Sequence, residues 1–197
     1  MLGMKKYNPG QPGNKEGAEM KDKYEVILAG SGGQGLVVSG IILAEAAILE
    51  GKNAVQTQSY AIASRGGFSK SEVIISINEI IFQQVQKVDL VLALTEQAME
   101  MYASIQGIPI FYDTTLLKER AGDNLYGFPF IGIAGGLGHA GMANTIALGA
   151  MAELMGIVKK ESLAEILKRR FPEKTAEMNI KALNTGVELV KKKLSNS

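Results

Sequence analysis

The residues with the clearest capacity for chemistry are consecutive: Gly30, Ser31, Gly32, Gly33, Gln34 and Gly35. They satisfy a GxGxxG spacing at Gly30, Gly32 and Gly35, directly after the apolar run YEVILA (24–29) and before LVVSGIILAEAAILEG (36–51). Strand, glycine turn and helix in that order bring backbone N–H groups and a helix N-terminus to one point, which suits a phosphate or pyrophosphate without help from a lysine. The plainer alternative is that the glycines only allow a tight turn with close strand–helix packing, and residue types leave both open. An NAD or FAD site would need an Asp or Glu about 20 residues further on to hold the ribose hydroxyls. No acid lies between Gly51 and Lys70, so NAD or FAD binding loses most of its support. A Walker loop is excluded as well, because no Lys-Ser/Thr pair follows the glycines.

A second candidate is the loop SRGGFS (64–69), where Arg65 is followed by Gly66 and Gly67. In a doubly wound sheet this loop would emerge at the same edge as the glycine turn, and Arg65 could form a fork to a phosphate or to a partner carboxylate. A solvated turn arginine is an equally good reading of the composition. Candidates for acid–base catalysis are thin. His139 stands alone in GGLGHAG and reads as a capping or surface histidine, and Asp113 ends an apparent strand without a second carboxylate to pair with. Gly122-Asp123-Asn124 begins like a thiamine diphosphate metal motif but lacks its downstream Asn.

Composition narrows the classes further. The chain has 197 residues, 46% of them hydrophobic, with no Cys, no Trp and one His. Thiolate zinc sites and thiolate-held iron–sulfur clusters are therefore excluded from this chain. Lys and Arg number 21 against 20 Asp and Glu, a net charge of +1 that offers no field for nucleic acid. Sorted by region, residues 1–23 carry +2, residues 159–197 carry +5 and the middle carries −6. An anion bound in the middle must use its few cations and backbone N–H groups. Apolar runs are too short to cross a bilayer and no signal peptide is visible, so a cytoplasmic protein without membrane or nucleic-acid partners is expected.

The elements that must position these residues follow from periodicity. Residues 1–23 are rich in Gly, Pro, Asn and Lys and read as a mobile tail ahead of one domain at 24–197. Strands are expected at 24–29, 53–59, 72–77, 88–94, 109–115 and 128–134. Helices are expected at 36–50, 95–107 (opened by Thr95 as N-cap), 142–155, 161–171 and 175–194, with Gly51 ending the first in a left-handed cap. The fold class is α/β: three layers around a mostly parallel sheet, a Rossmann-like glycine turn after the first strand and a helical C-terminus. Helices 36–50 and 142–155 are apolar on nearly every side, so the chain is expected to need a partner, or to self-associate as a homodimer when isolated.

GSGGQG, QTQSY followed by SRGGFSKSEVIIS, VDLVLAL, NTIALGAMAELMG and MNIKALNTG, in that order between Tyr24 and Val190, together resemble the gamma subunit of 2-oxoacid:ferredoxin oxidoreductases. One departure is NEIIFQQVQ (78–86), where many relatives have a Pro before the helix. The resemblance implies an accessory, non-catalytic subunit of a complex that oxidatively decarboxylates a 2-oxoacid, 2-oxoglutarate ahead of pyruvate, ketoisovalerate or indolepyruvate. Coenzyme A accepts the acyl group, CO2 leaves and ferredoxin takes two electrons. It further implies alpha and beta partners, with delta as a further candidate, which carry thiamine diphosphate, Mg and the 4Fe-4S clusters, and ferredoxin reached through the complex. Coenzyme A would lie at a subunit interface, with Gly30 to Gly35 facing its phosphates and Arg65, Gly66 and Gly67 close by. A non-enzymatic nucleotide-binding or scaffolding module on the same fold is the alternative.

Overall fold

The computed structural model describes residues 21–60 and 67–195. Its strands are β1 (Lys23–Ser31), β2 (Asn53–Tyr60), β3 (Phe68–Ser76), β4 (Leu90–Ala93), β5 (Ile110–Asp113) and β6 (Leu125–Phe128). They form one sheet in the order β2-β3-β1-β4-β5-β6. β1–β4, β4–β5 and β5–β6 are parallel, whereas β3 is antiparallel to both β1 and β2. The connection from β2 to β3 is too short for a crossover, so this pair must reverse direction. The sheet is thus mostly parallel, as expected, with β3 alone running against the rest.

Alternation along the strands feeds two cores. Val26 and Leu28 of β1, with Leu90 and Leu92 of β4 and Phe111 of β5, point into the larger one, which α1 (Leu36–Leu49), α4 (Ala143–Met155), α5 (Lys160–Arg170) and α6 (Glu173–Ser195) cover. Ile27, Ala29, Val91, Ala93, Ile110 and Tyr112 point the other way, onto Ala98 and Met99 of α2 (Glu96–Tyr102). Strands buried on both faces read as continuous apolar runs, which is why VDLVLAL was legible. The layer on the α2 side is thin, and the heavier helical layer is the one that reaches the glycine turn.

Several boundaries differ from the sequence expectation. The run FPFIGIA, expected as a strand, is divided: β6 ends at Phe128, Pro129 caps, and α3 (Phe130–Gly136) follows. Phe130 and Ala134, four residues apart, are the buried pair, which is helical spacing. The Ile131 N–H at its start is taken by Asp113 Oδ2 at 2.8 Å, a long-range cap that local sequence does not display. α2 stops at Tyr102 instead of 107, and β3 starts at Phe68 because Lys70, Ser69 and Phe68 pair with Ala29, Gly30 and Ser31. β1 opens at Lys23, and Lys21 forms an ion pair with Asp89. Residues 1–20 of the expected tail lie outside the described residues.

α4 and α6 pack with their backbones in near contact. A Cβ on Gly149 would overlap the Leu183 carbonyl, and one on Gly186 would overlap the Ile146 carbonyl. Thr145 Oγ1 donates to Asn179 Oδ1 at 2.8 Å across the same seam. α4 is therefore covered by this chain's own α6. Large apolar side chains left exposed include Val38, Ile48 and Leu49 of α1 and, in the irregular segment after β3, Ile81 at 77% and Phe82 at 62%. Among the described residues no helix is long and apolar enough to cross a membrane.

Candidate functional site

The glycine turn sits where the sheet order changes hand. β1 leads through α1 to one side and β4 lies on the other, so the C-terminal ends of β1 and β4 form the crevice where open α/β sheets bind ligands. Within the turn, Gln34 N–H donates to Ser31 O at 3.2 Å, and Gly33 takes the positive φ of 90° required at the third residue of a type II turn. Gly35, at φ 74° and ψ 15°, is the N-cap of α1.

The N–H groups divide into two sets. Ser31 N–H donates to Gln34 Oε1 at 2.7 Å, Gly32 N–H to Gly67 O at 3.0 Å, and Gln34 N–H to Ser31 O, so these three are engaged within the protein. Gly33 and Gly35 N–H have no acceptor among the described residues, and the first helical bond of α1 is Ser39 N–H to Gly35 O. The N–H groups of Leu36, Val37 and Val38 are therefore left without a helical acceptor, and no acidic side chain occupies that first turn. A Cβ at Gly33 would meet nothing within 4 Å, so the backbone there is open to an approaching ligand.

Gln34 differs in role from the other residues of the turn. Its side chain folds back over Gly30, where any Cβ would overlap Oε1, and its Nε2 donates to Leu94 O at 3.3 Å. The side chain thereby ties the turn to the end of β4. Of the second predicted loop, Arg65 and Gly66 lie outside the described residues, while Gly67 contacts the turn through the Gly32 bond. Gly67 and Phe68, the described part of that loop's end, lie beside the glycine turn through β1–β3 antiparallel pairing.

Two clefts flank the turn. One, of about 380 Å³, is lined by Gly33, Gln34 and Leu94 together with Asp113, Ile131 and Ala140. The other, of about 390 Å³, lies between α1, α4 and α6 and is lined by Val38, Ile42, Met142, Phe171 and Met178. Gly35, Gly141 and Asn144 line both. Asp113 is buried, and its carboxylate accepts from Thr115 N–H at 2.7 Å and from Ile131 N–H, which makes it a structural clamp on α3. His139 Nδ1 accepts from Gly141 N–H at 3.0 Å, the capping role expected of it. Among the described residues no group of three or more His, Cys, Asp or Glu side chains gathers as a metal site.

Asn144 escaped the sequence reading. It stands in the first turn of α4, and its Nδ2 donates to the Gln34 carbonyl, 110 residues away in the chain. Its only local signal is a polar residue opening an apolar helix after a glycine-rich loop.

Among the described residues, the site combines a glycine turn with open backbone N–H groups at the switch point of an α/β sheet and two clefts flanking it. The chain belongs to the family described as pyruvate ferredoxin/flavodoxin oxidoreductase, which it matches over residues 25–189. It is 38% identical over 173 residues to the 2-oxoglutarate synthase subunit KorC of Archaeoglobus fulgidus, covering 86% of this chain and 89% of that protein. The gamma subunit of a keto/oxoacid ferredoxin oxidoreductase from Geobacter sulfurreducens PCA has a similar structure, with a TM-score of 0.74 at 39% identity, over 86% of this chain and 99% of that one. A 2-oxoglutarate:ferredoxin oxidoreductase from Magnetococcus marinus, solved with 2-oxoglutarate, coenzyme A and succinyl-CoA, shares the fold with a TM-score of 0.77 at 23% identity; the match covers 87% of this chain and 32% of that one.

Proposed function

We propose that this chain is the gamma-type subunit of a 2-oxoglutarate:ferredoxin oxidoreductase. The complex would convert 2-oxoglutarate and coenzyme A to succinyl-CoA and CO2 and pass two electrons to ferredoxin. The observation that carries this reading is the nearly full-length similarity to a 2-oxoglutarate synthase subunit. Alpha and beta partners supply the thiamine diphosphate, Mg and 4Fe-4S clusters, consistent with a chain that has no Cys. The exposed apolar residues of α1 and of the Ile81–Phe82 segment give such partners a surface to cover.

This chain's own part is to hold coenzyme A. The Gly33 and Gly35 N–H groups and the first turn of α1 receive a phosphate of the diphosphate, and the clefts on either side accommodate the rest of an elongated ligand. Arg65, Gly66 and Gly67 stand beside it in this reading. The chain moves no proton and forms no covalent bond; it orients the thiol-bearing substrate and screens the reacting centre from water. Purification of the tagged chain from its native host tests the assignment. A thiamine- and cluster-bearing complex that reduces ferredoxin with 2-oxoglutarate, and only in the presence of coenzyme A, is the expected result. A complex that prefers another oxoacid overturns the substrate, and a chain isolated without such partners overturns the function.

A further inference from the structure

We propose that Asn144 is a positioning residue that locks the Gln34–Gly35 peptide with its N–H facing the ligand, an inference that rests on the coenzyme A reading above. A trans peptide points its C=O and its N–H in opposite directions. No cis peptide occurs among the described residues, so whatever holds the Gln34 oxygen also aims the Gly35 N–H. Asn144 Nδ2 holds that oxygen.

The lock is needed because the turn itself does not choose. Rotating a peptide by half a turn changes ψ of the residue before it and φ of the residue after it, and glycine accepts φ of either sign. Gly35, at φ 74°, is such a residue. The Ser31–Gln34 turn bond and the Ser39–Gly35 helix bond lie on either side of this peptide and involve neither its C=O nor its N–H. In the flipped form the Gln34 carbonyl would present negative charge to a phosphate in place of the Gly35 donor. Asn144 is the described side chain that distinguishes the two forms. The fit leaves no spare room, since a Cβ on Gly35 would lie 2.6 Å from Asn144 Nδ2. Asn144 also lines both clefts, so it is placed to sense the ligand's course on either side of the turn.

The test uses the reconstituted complex carrying wild type, Asn144→Asp, Asn144→Ala or Gly33→Val, with saturation curves for coenzyme A and for pantetheine, which lacks the diphosphate. Asn144→Asp is isosteric but turns the donor into an anion that repels the Gln34 oxygen. KM for coenzyme A should rise roughly ten- to hundredfold, the loss of a hydrogen bond to a charged group, and KM for pantetheine should not follow. The defect of the Asp variant should persist from about pH 8 to about pH 6, because a carboxylate of ordinary pKa stays ionised across that range. Asn144→Ala should show a smaller rise, because it removes the donor without adding a charge. If Gly33→Val raises KM for coenzyme A and neither Asn144 variant does, the positioning role is wrong and the coenzyme A reading stands. If all three leave it unchanged, the coenzyme A reading itself fails. Equal rises for both thiols, or an Asp variant that does not assemble, would make Asn144 a structural tether and overturn the proposal.

Discussion

Replacing Gly186 by Ala puts the packing of the C-terminal helices to a quantitative test. The new Cβ would overlap the Ile146 carbonyl oxygen and fall 2.8 Å from its carbon and 2.9 Å from Ala150 N. All three are main-chain atoms of α4, so no rotamer change relieves the clash and the helices must part. Overpacking of a rigid core costs about 1–3 kcal/mol, and this contact belongs at the upper end because parting the helices also loosens the dispersion contacts along the seam. Alanine's better helix propensity returns about 0.8–1 kcal/mol. The net expectation is a loss of about 1–2 kcal/mol, or roughly 2–8 °C in Tm for a domain of this size. Urea and thermal unfolding of the full chain, followed by circular dichroism, measure it. Gly136→Ala is the control: nothing lies within 4 Å of its Cβ, so this change should be neutral or mildly stabilising. A Gly186→Ala chain as stable as wild type would refute the close-packing argument.

Other expectations follow from single contacts. Burial alone would raise the Glu25 carboxyl, but hydrogen bonds from Lys23 and from the Lys87 and Gln86 N–H groups outweigh it and hold it below its ordinary value of 4.5. A depressed folded value means stability that is fully present above 4.5 and lost as pH falls below it. Glu25→Gln should therefore cost about 1–3 kcal/mol at neutral pH and flatten the acid limb of the stability–pH curve; an unchanged limb would contradict the assignment. Asp113→Ala removes the acceptor for Thr115 and Ile131 N–H and should destabilise the chain by about 1–3 kcal/mol, with raised hydrogen exchange in α3 as the local readout. Changing Ile81 and Phe82 together to Ser should leave Tm nearly unchanged while reducing self-association of the isolated chain in light scattering. Loss of folding would instead place these residues in the core.

Much of this architecture was legible because it is written in local patterns. The strand–turn–helix unit at 24–50, the doubly buried β4, the Thr95 cap, which accepts from Ala98 N–H at 3.2 Å, and the Gly51 terminus at φ 78° all depend on residues within a turn or two of one another. The failures share the opposite property. FPFIGIA is apolar at both periods, and what makes it helical from Phe130 is a carboxylate on a distant strand. β3 extends through Phe68 and the polar Ser69–Ser71 stretch because β1 offers it backbone partners, which no side-chain pattern announces. In the candidate site, the glycine spacing marked out this stretch of backbone, but it could not distinguish N–H groups engaged within the turn from those left open. Neither Gln34's inward fold nor the hand that Asn144 lays on the turn is visible without the third dimension.

The most direct test of the central claim is the coenzyme A dependence of a complex carrying Gly33→Val. Gly33 has open space around it and a φ of 90° that a branched residue rarely adopts, so the change strikes the ligand-facing backbone and not the packed side of the turn. The complex should assemble normally, and its reaction with 2-oxoglutarate up to CO2 release should proceed near the wild-type rate. The apparent KM for coenzyme A should rise by about tenfold or more, as expected for lost charge-assisted contacts. Normal assembly with an unchanged coenzyme A curve would contradict the account.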